Sequence, residues 1–153
     1  MAMLDHRIPP PIIAFLCAAL AWALARYTPA FSYPPPLPLP IAALFALGGF
    51  ALDLSGFLAF RNASTTVNPL SPEKATAIVQ SGPYRFTRNP MYLGMASILF
   101  AFCLYLANPV SLVAVGVFVI YLTRFQIIPE ERLLLHKFGE SYAEYKRAVR
   151  RWI

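Results

Sequence analysis

Residues 91–128 read MYLGMASILFAFCLYLANPVSLVAVGVFVIYLTRFQII, and Arg124 is the one charged residue among them. Asn108-Pro109 interrupts the stretch near its middle, where proline ends a helix and suits the first position of the next. A membrane-spanning helix needs roughly 20 largely apolar residues. The stretch therefore reads as a hydrophobic hairpin, with spans at 90–107 and 110–128 joined by an uncharged turn. Its two open ends carry polar clusters. Ser81 to Gly94, SGPYRFTRNPMYLG, lies at one, and Pro129-Glu130-Glu131-Arg132 running on to Phe138-Gly139 lies at the other. Closing the hairpin brings both clusters to the same membrane face, where a charged ligand can sit beside a lipid-accessible pocket.

Further out, two more apolar blocks fall at 11–27 and 41–60. The chain has 153 residues, 58% hydrophobic and 13% charged, which is too apolar for an ordinary soluble domain. The expected fold is an all-α integral membrane protein, a single domain over residues 1–153 with about four transmembrane helices and a C-terminal interfacial segment. Arg7 and the following apolar run also have the form of a signal peptide. Pro9-Pro10-Pro11 suits a helix start better. Arg61, Lys74, Arg85 and Arg88 precede the hairpin, and Arg132, Lys137, Lys146, Arg147, Arg150 and Arg151 follow it. By the positive-inside rule both termini and the site face the cytoplasm, across the inner membrane if the cell is bacterial. The net charge of +6 is thus read as topology and not as nucleic-acid binding. A monomer is expected.

Cys17 and Cys103 each lie inside an apolar block and read as inert packing. His6 and His136 are isolated, so a metal site has little support. Asp53 lies well inside the second block and Arg124 about one turn from the end of the fourth. An intramembrane acid is costly and faces the interior or a partner, so either an Asp53–Arg124 pair or a site role fits. Arg124 is also able to snorkel to the interface unaided.

In the 61–89 loop, Ser71-Pro72-Glu73-Lys74 has the form of a helical start, and Thr76 to Gln80 reads as extended. Gly82-Pro83 marks a turn where backbone can approach a ligand. Asn89-Pro90 reads as an N-cap and first helical position, with free N–H groups suited to a carboxylate or phosphate. Near the end of the chain, Ser141 and Glu144 form a capping-box pattern. Tyr142, Tyr145, Val149 and Trp152 follow at helical spacing among basic residues, as in an interfacial helix.

Gly82-Pro83-Tyr84-Arg85, Arg88-Asn89-Pro90-Met91-Tyr92-Leu93-Gly94, Glu130-Glu131 and Phe138-Gly139-x-x-Tyr142-x-x-Tyr145 closely resemble the isoprenylcysteine carboxyl methyltransferase family, which is similar in turn to the membrane phospholipid N-methyltransferases. The likeness runs over about residues 64–153. It implies a membrane methyltransferase using S-adenosyl-L-methionine, held at the cytosolic end of the last two spans in segments of about 80–95 and 121–146. It also implies that Gly82, Tyr84, Arg88, Asn89, Pro90, Tyr92 and Gly94 contact or shape the cofactor pocket, with Glu130 and Glu131 opposite. Gln80, Pro83, Tyr142 and Tyr145 complete the candidate cofactor contacts. Arg88, Glu131 and Arg124 are the candidate catalytic charges. Many carboxyl methyltransferases have histidine where this chain has Asn89, and asparagine cannot titrate.

The expected acceptor is lipophilic. A carboxylate is already ionised and needs no general base, so positioning and desolvation suffice. An amine, as in phospholipid N-methylation, needs deprotonation, and the sequence offers no clear base. Membrane sterol reductases share a similar C-terminal core, and a non-catalytic membrane partner is a third class. Binding of S-adenosylhomocysteine, of NADPH or of neither separates the three.

Overall fold

The computed structural model describes residues 8–33, 38–63 and 76–153. His6 and the Ser71–Lys74 turn lie outside them. Six α-helices make up the described chain: α1 (Pro10–Tyr27), α2 (Pro38–Asn62), α3 (Pro90–Tyr105), α4 (Val113–Leu122), α5 (Ile128–Phe138) and α6 (Glu140–Ala148). Proline opens α1, α2 and α3. Its fixed φ suits a first turn and its missing N–H would be unpaired there anyway. Among the described residues there is no strand, only an isolated bridge between Thr87 and Arg150.

The protein is an integral membrane protein. Pro10–Tyr27, Leu39–Asn62 and Pro109–Phe138 are long and apolar enough to cross a bilayer, and Pro90–Tyr105 is a shorter apolar helix. Large apolar side chains point outward along these helices. Phe15, Leu44, Leu47 and Ile120 are each about 70% exposed, as a lipid-facing surface requires.

The fourth span does not stop at 128. Pro109–Leu112, a short 3-10 turn, leads into α4, and α4 continues through a π-helical turn at Thr123–Ile127 into α5. The result is one rod of 30 residues, about 45 Å at 1.5 Å per residue. Pro129 explains the π turn. Its ring would meet the carbonyl four residues back in a regular helix, and the wider turn makes room. The rod thereby carries Glu130 and Glu131 beyond the apolar stretch.

Helix α3 is central. On one side its Tyr92, Ala96, Leu99 and Cys103 join Ile13, Cys17 and Ala21 of α1 and Ala114, Phe118 and Leu122 of α4 in the core. On the other it lies close to α2. A Cβ on Gly49 would come 2.7 Å from the Gly94 carbonyl oxygen, and one on Gly56 would come 2.8 Å from Met91 Cγ. Both contacts are too close for a real side chain, so these glycines set the α2–α3 spacing. At the end remote from the polar clusters, buried Asn108 donates to the Thr28 carbonyl (2.8 Å) and accepts from the Val110 N–H (2.9 Å). That pins the turn between α3 and α4 to the end of α1.

Candidate functional site

The two polar clusters meet as the hairpin geometry requires. Arg88, two residues before α3, and Glu131, in the first turn of α5, form an ion pair of 2.8 Å with side chains 8% and 7% exposed. Arg151 adds two hydrogen bonds, Nε to Glu131 Oε1 at 2.9 Å and Nη2 to Oε2 at 2.8 Å. Lys146 Nζ stands 3.7 Å from Oε2. Arg88 Nη1 also donates to the carbonyls of Lys146 and Val149, each at 2.9 Å. Glu131 is thus compensated by three cations of the chain itself. Arg88 and Glu131, expected on opposite sides of a cofactor pocket together with Glu130, are paired with each other in the fold. Arg88 Nε alone of that guanidinium is buried without a partner.

These bonds hold down the residues after α6. The helix ends at Ala148, and Val149–Trp152 continue as a strap and not as the aromatic helix stripe expected. The Arg88 N–H donates to the Arg150 carbonyl (3.0 Å), and Trp152 Nε1 donates to Thr123 Oγ1 in the π turn (3.0 Å). Asn89 occupies the N-cap position of α3, with Pro90 following, yet its side chain makes no cap hydrogen bond. Its Nδ2 instead reaches the Arg151 carbonyl at 2.9 Å, because the strap passes directly over the helix start. The Ser141–Glu144 capping box is likewise not formed. Gly139, at φ 55°, is both the C-cap of α5 and the N-cap of α6 and has no side chain to cap with. Such a φ is open to glycine at little cost.

Glu130 has a different environment. Its Oε1 accepts from Tyr92 OH (2.7 Å) and from Gln126 Nε2 (2.6 Å). No cation pairs with it among the described residues. The neighbouring glutamates therefore divide, one neutralised and one held only by neutral donors. The π turn places Gln126 for this contact, which nothing in the linear pattern announced.

Tyrosines surround the junction. Tyr84, Tyr142 and Tyr145 are buried, and Tyr145 OH donates to the Tyr84 carbonyl at 2.8 Å. Burial pushes the Tyr145 hydroxyl up to about 12. Tyr84 is raised first by burial and then by nearby Tyr145, Glu130 and Asp53, and Tyr142 by burial and the charge of Glu131. All three remain protonated donors at neutral pH. Beside them, a cleft of about 570 Å³ opens between the Gly82 turn and α6, lined by Gln80, Tyr84, Arg85, Glu144, Tyr145 and Val149 among others. That volume suits a small-molecule ligand. Gly82, at φ 57°, makes the turn that sets Tyr84 in its wall, with Pro83 next in the short helix Gly82–Arg85.

Two predicted residues lie elsewhere. Arg124 is exposed, with its guanidinium 5.5 Å from the centre of the Phe125 ring, and it makes no contact with this cluster. Gly94 faces α2, where a Cβ would strike Asp53 Oδ1 and come 2.6 Å from the Gly49 carbonyl oxygen. Asp53 and Arg124 form no pair. Cys17 and Cys103 are free and buried, as their setting suggested.

Fold and site together define an all-helical membrane protein with a buried ionic junction and a ligand-sized cleft at one end of a hairpin. Residues 39–141, more than half of the chain, match the phospholipid methyltransferase family, and the chain belongs to it. An uncharacterized protein of Haemophilus influenzae is 43% identical over 63 residues, which is 41% of this chain and all of that protein. The protein-S-isoprenylcysteine O-methyltransferase of Saccharomyces cerevisiae is 36% identical over 80 residues, half of this chain and 32% of the yeast protein. The likeness thus covers about a third of the yeast enzyme's length.

Proposed function

We propose that the protein transfers a methyl group from S-adenosyl-L-methionine to a lipophilic acceptor that reaches the site from the bilayer. The observation that carries this reading is the division of labour between Glu131 and Glu130. Glu131, with Arg88 and Arg151, fastens the strap over the hairpin, while Glu130 is held by Tyr92 and Gln126 and meets no cation among the described residues. The donor's amino-acid end bears one ammonium and one carboxylate. Glu130 suits the ammonium, and the unpartnered Nε–H of Arg88 suits the carboxylate. The cleft beside Tyr84 and Tyr145 supplies room for the rest.

The donor supplies an activated methyl whose sulfonium charge disappears on transfer. The chain's part is to bind, orient and exclude water. Tyr84, Tyr142 and Tyr145 supply buried donors, and α6 with the strap covers the site. O-methylation, here of a carboxylate, is suggested by the name of the yeast relative, and methylation of a phospholipid, here at a headgroup amine, by the family. They differ in one need, since an amine must first lose a proton.

Two measurements test the reading. The full chain in nanodiscs should bind S-adenosylhomocysteine in a calorimeter and should ignore NADPH. It should also label a component of total membrane lipids when given methyl-labelled donor. Absence of both sinks the proposal.

A further inference from the structure

Val113, Val117, Ile120 and Arg124 follow one another at intervals of four, three and four residues, so they share one face of the rod. Ala114, Phe118 and Leu122 turn the inner face to α1 and α3 and are fully buried. The outer stripe is exposed at all four positions. Gly116 lies on the same side, three residues after Val113 and four before Ile120. A Cβ there would meet nothing within 4 Å. The outer face therefore carries a shallow apolar notch and ends, toward the site end of the molecule, in a guanidinium.

A charge on the lipid-facing side of a membrane helix is costly and has to be met. Among the described residues no carboxylate pairs with Arg124. Its neighbour is the Phe125 ring, 5.5 Å away, which offers polarisable surface and no counter-charge. Gln126, two residues on, is buried and donates to Glu130. Two residues make about half a helical turn, so Arg124 points away from the candidate site, to the far side of the rod. Thr123 beside it sets the depth. Its Oγ1 accepts from Trp152 Nε1 at 3.0 Å, and an indole settles at the level of the lipid headgroups. Arg124 thus stands where acyl chains give way to phosphates, about 10 Å along the rod short of Glu131. A guanidinium meets a phosphate through paired hydrogen bonds. In a zwitterionic lipid that phosphate already has an ammonium beside it, whereas in an anionic lipid its charge is left for the protein.

We infer that the outer face of the rod at the π turn binds an anionic phospholipid, with its phosphate on Arg124 and an acyl chain along Val117 and Ile120 into the Gly116 notch. This lipid is a resident of the far side of the rod and not the acceptor of the methyl group, and its headgroup carries no amine. Its presence there does not depend on methyl transfer.

The test titrates the full chain, in a neutral detergent, with phosphatidylglycerol, with phosphatidylcholine of the same acyl chains, and with sn-glycerol 3-phosphate. Native mass spectrometry counts the bound lipid, and thermal unfolding is followed alongside. Wild type should retain phosphatidylglycerol in preference to phosphatidylcholine. Arg124→Gln should weaken the most tightly held phosphatidylglycerol by about ten- to a hundredfold, as loss of a charge-assisted contact does. Arg26→Gln removes an equally exposed arginine from the last turn of α1 and should leave that lipid in place. Phosphatidylglycerol should raise the melting temperature of wild type and of Arg26→Gln and leave Arg124→Gln unmoved. Gly116→Leu fills the notch, keeps the arginine and should also weaken retention. Equal retention of phosphatidylcholine, equal losses in the two arginine variants, unchanged retention in Arg124→Gln, or a thermal shift by glycerol 3-phosphate as large as that by the lipid overturns the site. Unchanged retention in Gly116→Leu overturns the seat given to the acyl chain.

Discussion

Single residues divide here into those that hold the fold and those left with unspent charge, and stability and binding measurements separate them. Glu131 belongs to the first group. Replacing it by Gln leaves Arg88, 8% exposed in its side chain, without its counter-charge, and breaking a buried pair on one side costs about 3–5 kcal/mol. The expected result for Glu131→Gln is a large fall in thermal stability. Glu130→Gln retains an acceptor for Tyr92 and Gln126, so the fold should survive. Loss of a charge-assisted hydrogen bond costs roughly 1.5–3 kcal/mol, or about ten- to a hundredfold in S-adenosylhomocysteine affinity, and calorimetry reads it. The reverse pattern, with Glu130→Gln unfolding and Glu131→Gln binding weakly while stable, would exchange the two roles. Gly94 gives a steric counterpart. Its added methyl meets Asp53 and the Gly49 carbonyl, so Gly94→Ala should destabilise by about 1–3 kcal/mol. Gly48→Ala, with nothing within 4 Å, is the matched control for the same helix-forming gain and should not destabilise.

At the scale of elements, the least legible part of the chain was its end. Helices α1 to α3 announce themselves through apolar blocks opened by proline, and α4 through the apolar block that follows Asn108-Pro109, because membrane insertion depends on local composition. The strap does not. Val149 to Trp152 continue a helical spacing in the sequence, yet α6 stops at Ala148 where Arg88 and Asn89 compete for the carbonyls of Lys146, Val149 and Arg151. These partners lie some sixty residues away, and no local pattern encodes them. The same holds for Gln126, placed by a π turn that Pro129 imposes, and for the separate environments of two adjacent glutamates. Hairpin closure accounts for the meeting of the Arg88 and Glu130–Glu131 clusters at one end, whereas Tyr84, Tyr142 and Tyr145 are named through the family resemblance and not through any local pattern. Asn89 now carries a different expectation. Asn89→Leu removes one hydrogen bond to the strap, worth about 1 kcal/mol, and leaves no cap to lose. Faster hydrogen exchange at Arg151 and Trp152 with an unchanged α3 start is the expected signature, while Asn89→His, able to donate to the same carbonyl, should restore protection. Exchange that rises first within α3 would point back to capping.

For the whole molecule, the ion pairs among the described residues all lie at one end, and Arg26 at the end of α1 stands at the other. The opposite end holds the neutral Asn108 turn, pinned to Thr28. Lysine and arginine gather at the end that carries the site, and such clusters stay on the cytoplasmic side during insertion. We therefore expect an even number of spans, with both termini and the site facing the cytoplasm. Reporter fusions at the two ends should report the same side, and opposite sides would rule the arrangement out. The apolar outer faces of α1, α2 and α4 then lie in lipid. An acceptor arriving along that route brings its tail into the bilayer first, so tail length should govern its capture. At a fixed headgroup, each methylene buried adds about 0.8 kcal/mol of transfer. Rates at low acceptor concentration should rise steeply from short to long chains and level off once the tail fills the leaflet. The same series presented as soluble monomers to protein in a minimal detergent belt should keep its order. A water-soluble short-chain acceptor turning over as fast as its long-chain homologue would mean that the acceptor comes from the cytosol, through the cleft beside α6.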